Sequence, residues 1–500
     1  MELYRVGPGR WCSPRWRWVG FRIAAIILGL FPLVVFEGAL AVFDLGLPDP
    51  GDDPFVGFSA IRPLFALDRS GDRYEIAPPR RGMFRPDSFS SRKPSHGFRI
   101  FCLGGSTVQG RPFAIETSFT TWLRLSLEAA DPSRSWEVVN CGGISYASYR
   151  LVPILREVLG YQPDLIILYT GQNEFLEDRT YHHIKSMPRF VAESHEWFSR
   201  FRSYNALRDG LTRVFGRRAK SLSRDRPVLP AEVEALLDYR GGLEHYHRDE
   251  AWRRGVIEHY EANLRRMVAL CRAAGVPVLL VNPVCNLETP PFKSEHRADL
   301  TDEERAAFDR SWNEARALYA TDLSLAMGRL RDAIELDDQH AGIQYILGVC
   351  YLQRRQWDAA RETLIRAKDR DICPLRILEP MHAALFDVAG ATGTPVVDAW
   401  ELFAERSEGG IPGNGWLVDH VHPSIRGHQV LARALLEKMH GLGFLPLRPG
   451  WEVERDRRFD EQLASLGPSY FARGQQRLEA LEGWARGRAT DVPPAARPTQ

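Results

Sequence analysis

Lysine is nearly missing from this chain: of 65 basic side chains only six are Lys, so arginine carries almost all the positive charge. No excess of either sign exists, because the formal net charge is +1. That excludes a global basic field for nucleic acid and an acidic one for a basic partner. Cysteine is scarce. Cys12, Cys102, Cys141, Cys271, Cys285, Cys350 and Cys373 are the seven in 500 residues. None forms a CxxC pair, the count is odd and the spacings are wide, so neither a zinc site nor a dense disulfide framework is indicated. They read as small buried apolar side chains. What is present is ordinary for a folded protein, with 44% hydrophobic and 26% charged residues. At about 150 residues per domain the length predicts roughly three units.

One long hydrophobic run breaks the soluble pattern. Residues 23–43 are apolar apart from Glu37, with Pro32 inside. At about 1.5 Å rise per residue this run spans a hydrocarbon core about 30 Å thick. Arg5, Arg10, Arg15, Arg17 and Arg22 precede it, and Asp44, Asp49, Asp52 and Asp53 follow. Basic flanks stay on the cytoplasmic side, so residues 1–22 are expected inside and the bulk of the chain outside, on the periplasmic or extracytoplasmic face. A cleaved signal peptide is the rival reading, because Ala39-Leu40-Ala41 resembles a cleavage site.

Residues 44–97, rich in Pro, Gly, Asp and Arg, read as an extended linker with strand-like pieces such as Arg73 to Ile76. A regular alternation follows. Residues 98–103 (FRIFCL) predict a buried strand running into Gly104-Gly105, and 117–130 a helix. Residues 136–139 predict a strand, 149–159 a helix, and 165–169 (LIILY) a third strand closed by Gly171. Later, 257–274 and 426–439 read as helices and 276–281 and 395–398 as strands. Short apolar strands alternating with helices predict a three-layer α/β/α fold on a mostly parallel five-stranded sheet. Active sites of such sheets form in loops at the carboxyl ends of the strands. Two insertions interrupt the pattern. Residues 176–255 are expected to form a lid or wall. Residues 302–372 are strongly helical: Ala326, Leu330 and Ala333 recur 34 residues later as Ala360, Leu364 and Ala367, with Leu347, Gly348 and Tyr351 at the matching first-helix positions. That period resembles tetratricopeptide repeats, which implies a possible protein-binding surface. Residues 449–500 predict amphipathic helices and a disordered end.

Three motifs fall at predicted strand ends. Gly104-Gly105-Ser106-Thr107 offers a serine hydroxyl on a tight turn, lacking the GxGxxG and GxxxxGK[ST] patterns of nucleotide loops. Gly171-Gln172-Asn173-Glu174 offers an amide able to donate to an oxyanion. Asp419-His420-Val421-His422-Pro423 offers a base, His422, with a carboxylate three residues earlier to orient it. His420 and His428 read as structural. Asp419, His420 and His422 are also metal-ligand types, but no further ligand cluster accompanies them.

In this order the motifs resemble the SGNH (GDSL-type) hydrolase superfamily. The resemblance covers residues 98–180, 256–290 and 390–440, and implies a flavodoxin-like hydrolase domain over 98–448. Its glycine-flanked serine block matches Gly105-Ser106, its G-x-N-[DE] block Gly171 to Glu174, and its D-x-x-H block Asp419 to His422. Its N-x-x-x-x-G block is altered: from Asn140 the expected glycine is Ser145. The resemblance implies Ser106 as nucleophile, His422 as base and Asp419 as its partner. It implies an oxyanion hole from the Ser106 N–H, the Ser145 or Gly143 N–H and the Asn173 amide. It implies no cofactor and no metal. Three functions stay open: hydrolysis of an acylated glycan, lipid or small ester; O-acyl transfer to an envelope polysaccharide; or a repeat-bearing scaffold with a degenerate hydrolase domain.

Overall fold

A computed structural model describes residues 55–179, 227–238 and 241–488, with short pieces between 22 and 53 and between 202 and 207. The chain divides into two compact units, one of residues 1–57 with 180–227 and one of 58–179 with 228–500. In the first, residues 31–40 are helical and the Glu37 carboxylate accepts the main-chain N–H groups of Arg202 (2.5 Å) and Ser203 (2.8 Å). Residues 23–27, 30, 41 and 43 of the hydrophobic run lie outside the described residues. Among those described, no helix is long and apolar enough to cross a membrane.

The second unit is built on a five-stranded sheet. Its strands are β4 (Gly97–Gly104), β5 (Ser135–Gly142), β6 (Leu165–Tyr169), β7 (Val278–Asn282) and β8 (Val396–Asp398), the labels β1 to β3 being kept for a small sheet below. The spatial order is β5-β4-β6-β7-β8 and every pairing is parallel. Strands β6 and β7 are buried at every position, as expected of a sheet covered on both faces. Helices α2 (Phe119–Ala130), α3 (Ser148–Leu159) and α4 (Glu250–Ala273) connect the strands, and α1 is the short turn Ser106–Gln109. Right-handed crossovers send α2 and α3 to opposite faces, because the chain steps from β4 to β5 on one side and returns to β6 on the other. That reversal makes the carboxyl ends of β4 and β6 the topological switch point, where open α/β sheets bind their ligands.

Within the segment 44–97, Arg73–Ile76 is a strand as read from the sequence, and residues on either side join it. They form an antiparallel sheet of β1 (Phe65–Leu67), β2 (Arg73–Ile76) and β3 (Ser88–Ser90). Glu157 of α3 accepts the N–H groups of Leu64 (2.6 Å) and Phe65 (2.8 Å). Phe65, Phe89, Phe101 and Tyr161 pack ring to ring. Arg99, buried within β4, meets Glu137 at 2.7 Å and the Tyr161 and Ser90 carbonyls at 2.7 and 2.8 Å. A buried charge needs this full set of partners.

The helical insertion is two hairpins, α5 (Asp302–Leu318) with α6 (Leu323–Leu336) and α7 (Ala341–Gln353) with α8 (Trp357–Asp369). All six repeat positions are buried on α6 and α8. Leu364 lies against Gly348, where an added Cβ would come within 2.7 Å of it. Most of 180–226 in the expected lid or wall, 176–255, lies outside the described residues; in the remainder, Ala235, Leu237 and Tyr246 share a cluster with Phe292, Ile372 and Leu375. After α9 (Glu379–Thr392), α10 (Ala399–Ala404) and α11 (Ile425–Gly441), the tail adds α12 (Trp451–Ser465) and α13 (Pro468–Arg488). Helix α12 packs on α2, with Trp122 and Phe459 rings 4.7 Å apart.

Candidate active site

Ser106 sits at the switch point, as the first residue of α1 directly beyond β4. The two glycines before it are dictated by crowding. A Cβ at Gly104 would lie 2.1 Å from the Tyr169 carbonyl oxygen of β6, and one at Gly105 would lie 2.4 Å from the Asn173 amide nitrogen. Strand and turn can approach this closely only without side chains.

The Asp419–His422 loop is tied shut at its base. Val418 N–H donates to the His422 carbonyl at 2.9 Å and Ser424 N–H to that of Trp416 at 2.8 Å. Ser424 then caps α11 by accepting from Gly427 N–H at 3.1 Å. So held, His422 Nε2 lies 2.7 Å from Ser106 Oγ, and His422 Nδ1 lies 2.6 Å from Asp419 Oδ2. The second Asp419 oxygen accepts the N–H groups of Val421 (2.9 Å) and His422 (2.8 Å). Burial alone would raise the Asp419 carboxyl. The His422 and His420 rings and the hydrogen bonds from His422 outweigh it and hold the group well below the usual carboxylate range. With Asp419 ionised, the tautomer that donates from Nδ1 leaves Nε2 free to accept the serine proton.

The other predicted donors lie in the loops that follow β5 and β6. Asn140, in β5, ties the strand to α1 and α2: its amide donates to the Val108 carbonyl (2.7 Å) and to Thr120 Oγ1 (2.9 Å), and its oxygen accepts from Gly142 N–H (3.0 Å). The Asn173 amide gives one N–H to the Tyr146 carbonyl at 3.0 Å, which leaves the other for a ligand. Ser145 has φ +61°, the left-handed conformation usual for glycine. The main-chain N–H groups of Ser106 and Ser145 have no partner among the described residues. Gly143 must be corrected: its N–H donates to the Gly104 carbonyl at 3.0 Å, within the turn that ties β5 to β4, and is not available to an oxyanion.

His420 and His428 are both buried. Burial pushes His420 down to about 4, against the pull of Asp419, and pushes His428 down to about 3, helped by His422. His428 Nδ1 accepts from Phe119 N–H at 3.3 Å, so it supports α2. Glu174 is also structural, accepting Ser148 N–H (2.8 Å) and Oγ (2.9 Å).

Two supporting residues escaped the sequence reading. Asn286, in the loop after β7, donates its amide to the Asp419 carbonyl at 3.0 Å and its N–H to the His420 carbonyl at 2.9 Å. Gln172 joins three segments, donating to the Val284 carbonyl (2.7 Å) and accepting Ile377 N–H (2.9 Å). An Asn just beyond the predicted strand end was the available signal for the first. For the second, no sequence pattern links position 172 to 377.

The sequence matches no known family profile and no curated protein. Solved structures that the chain matches include three enzymes. One is an acetylxylan esterase from Geobacillus stearothermophilus, at 14% identity over 70% of this chain and 96% of that one, TM-score 0.31. Another is a GDSL-like lipase from Bacteroides thetaiotaomicron, at 11% identity over 69% of this chain and 88% of that one, TM-score 0.29. The third is an alpha/beta hydrolase enzyme from the metagenome of Lake Arreo, Spain, at 15% identity over 69% and 96%, TM-score 0.29. These scores are low, and the reading of the site rests on its own geometry.

Proposed function

We propose that this chain is a serine ester hydrolase of the SGNH type, acting through an acyl-enzyme on Ser106. The observation that carries the reading is the continuous chain from Ser106 Oγ through His422 (2.7 Å) to Asp419 (2.6 Å). In the proposed reaction His422 Nε2 takes the Ser106 proton as Oγ attacks the ester carbonyl carbon. Negative charge develops on the carbonyl oxygen, which receives hydrogen bonds from Ser106 N–H, Ser145 N–H and the free N–H of Asn173. Each such donor is worth roughly 10²–10³ in rate. The tetrahedral intermediate collapses, and the departing alkoxide takes the proton from His422. Water then attacks the acyl-serine, passing a proton to His422, and Oγ recovers it as the acid leaves.

The substrate in this reading is an acylated glycan, lipid or small ester. An anchor at residues 23–43 would hold the site on the outer face of the cytoplasmic membrane, and the two helical hairpins, in the manner of tetratricopeptide repeats, would offer a surface to a protein partner. The chemistry is tested with 4-nitrophenyl acetate. Wild-type protein should release nitrophenolate and Ser106→Ala should not; equal release by both would sink the reading. The topology is tested by an alkaline-phosphatase fusion after residue 60, which should be active. A stable but inactive fusion would contradict the outward orientation.

A further inference from the structure

Three arginines converge on the turn that leaves the nucleophile. Arg111 is reached directly from Ser106, whose carbonyl accepts the Arg111 N–H at 3.1 Å. Arg85 follows Met83 and Phe84, which are locked to the same region. The Met83 carbonyl accepts from Gln109 Nε2 (2.8 Å) and from Ile144 N–H (3.0 Å), and Phe84 pairs with Gly143. Arg477 comes from α13, far along the chain, and its Nη1 donates to the Phe113 carbonyl at 2.9 Å. Burial lowers Arg111 first, then Arg85 and Arg477 lower it further; burial and Arg85 likewise lower Arg477.

Such crowding normally comes with carboxylates. Here none of the three makes an ion pair among the described residues, although Arg99, Arg150, Arg297 and Arg458 of the same unit all do. Arg85 Nε is buried and has no hydrogen-bond partner among the described residues. The acidic groups facing the cluster are Asp419 and Asp238, near Arg111, and Glu116, near Arg477, and they act only at longer range. Asp419 is already committed to His422. The three residues therefore bring positive charge without an ion-pair partner among the described residues to the turn that Ser106 begins, with Arg85 Nε unspent.

We propose that Arg85, Arg111 and Arg477 form a subsite for an anionic group, a carboxylate or a phosphate, borne by the ester that Ser106 attacks. This rests on the hydrolase reading above and narrows its substrate class to acidic esters. Guanidinium forks suit both oxyanion types, because they donate paired N–H groups to two oxygens at once. Arginine's weak hydration also lowers the cost of holding it near a closed site.

The test uses the full-length protein and three acetate esters of matched shape: 4-acetoxybenzamide, 4-acetoxybenzoate and 4-acetoxyphenyl phosphate. Wild type should show kcat/KM at least about tenfold higher for one or both anions than for the amide. Which anion leads separates a carboxylate from a phosphate ligand. In the Arg85→Gln/Arg111→Gln double variant the anion-to-amide ratio should fall to about one. Hydrolysis of all three at equal rates, or a preference that survives in the double variant, overturns the subsite and leaves the hydrolase reading standing. A binding measurement keeps the two separable. Titration of Ser106→Ala protein with 4-hydroxybenzoate and with phenyl phosphate should give heat that the triple variant carrying both Gln substitutions lacks. If no ester is hydrolysed the hydrolase reading fails, and the absence of that binding would overturn the subsite as well.

Discussion

Gly105→Ala is predicted to disable the site while leaving the fold intact. An added methyl at residue 105 would lie 2.4 Å from Asn173 Nδ2, about 1 Å inside ordinary van der Waals contact, and 3.3 Å from the Tyr146 carbonyl oxygen. The backbone at Gly105, φ −86° and ψ −155°, is extended, so alanine itself is not strained there. Something must move, and the amide is the end of a side chain held by one 3.0 Å hydrogen bond to Tyr146. Displacing it by about 1 Å removes it as an oxyanion donor, which costs roughly 10²–10³ in kcat, or about 3–4 kcal/mol of transition-state stabilisation. KM should change little, since the lost contact forms mainly in the transition state. The assay is kcat and KM on 4-nitrophenyl acetate, with thermal melting as the control for folding. Asn173→Ala should lose a similar factor, and adding Gly105→Ala to it should lose little more, because both act on one donor. A Gly105→Ala enzyme within twofold of wild type, or losses that multiply in the double variant, would refute the reasoning.

Three further outcomes are expected. Ser145→Gly should keep full activity, because the donor is main chain, and gain up to about 1 kcal/mol, since glycine removes a left-handed penalty of about 1–2 kcal/mol at a smaller entropic cost; a tenfold fall in kcat would show the side chain matters. Asp419→Asn should keep the fold but lower kcat by about 10⁴, because an amide favours the wrong imidazole tautomer; a loss below tenfold contradicts the role of Asp419. Stability should fall as pH drops from 6.5 toward 4. Burial holds His340 and His420 down to about 4 and His382 and His428 to about 3, so near pH 5 the unfolded chain binds about four protons that the folded chain refuses. Asp87 and Asp371, pushed up by burial to about 6, take up about two in the folded state and offset half of this. The remaining two protons correspond to a slope of about 3 kcal/mol per pH unit. A thermal midpoint that stays level or rises between pH 6.5 and 4.5 would be the wrong result.

The parts of this fold that were legible in the sequence are those whose signal is local. LIILY, and FRIFCL apart from Arg99, are apolar on both faces, so they announce buried parallel strands without any knowledge of their neighbours. The 34-residue recurrence of Ala, Leu and Ala marks the faces that α6 and α8 bury. Ser106, Asn173 and the Asp419–His422 pair were legible because each stands beside a turn signal at a strand or helix end. What was hidden depends on distant partners. Of the three strands in residues 58–97 only Arg73–Ile76 was legible; the other two are short, and their order comes from Glu157 and the Phe101–Tyr161 cluster. Gly143 stood as the fallback donor behind Ser145, because nothing local shows that its N–H is already spent on Gly104. Asn286 and Arg477 reach the site from loops and helices whose placement no short motif encodes.

The central claim is that Ser106 is the activated nucleophile, and covalent capture tests it most directly. Full-length protein is treated with a fluorophosphonate, and the modified residue is located by mass spectrometry, alongside Ser106→Ala and His422→Ala. The account predicts one adduct on Ser106 in wild type and none in either variant. A folded wild-type protein that takes no label, or one that labels at another serine, would contradict it.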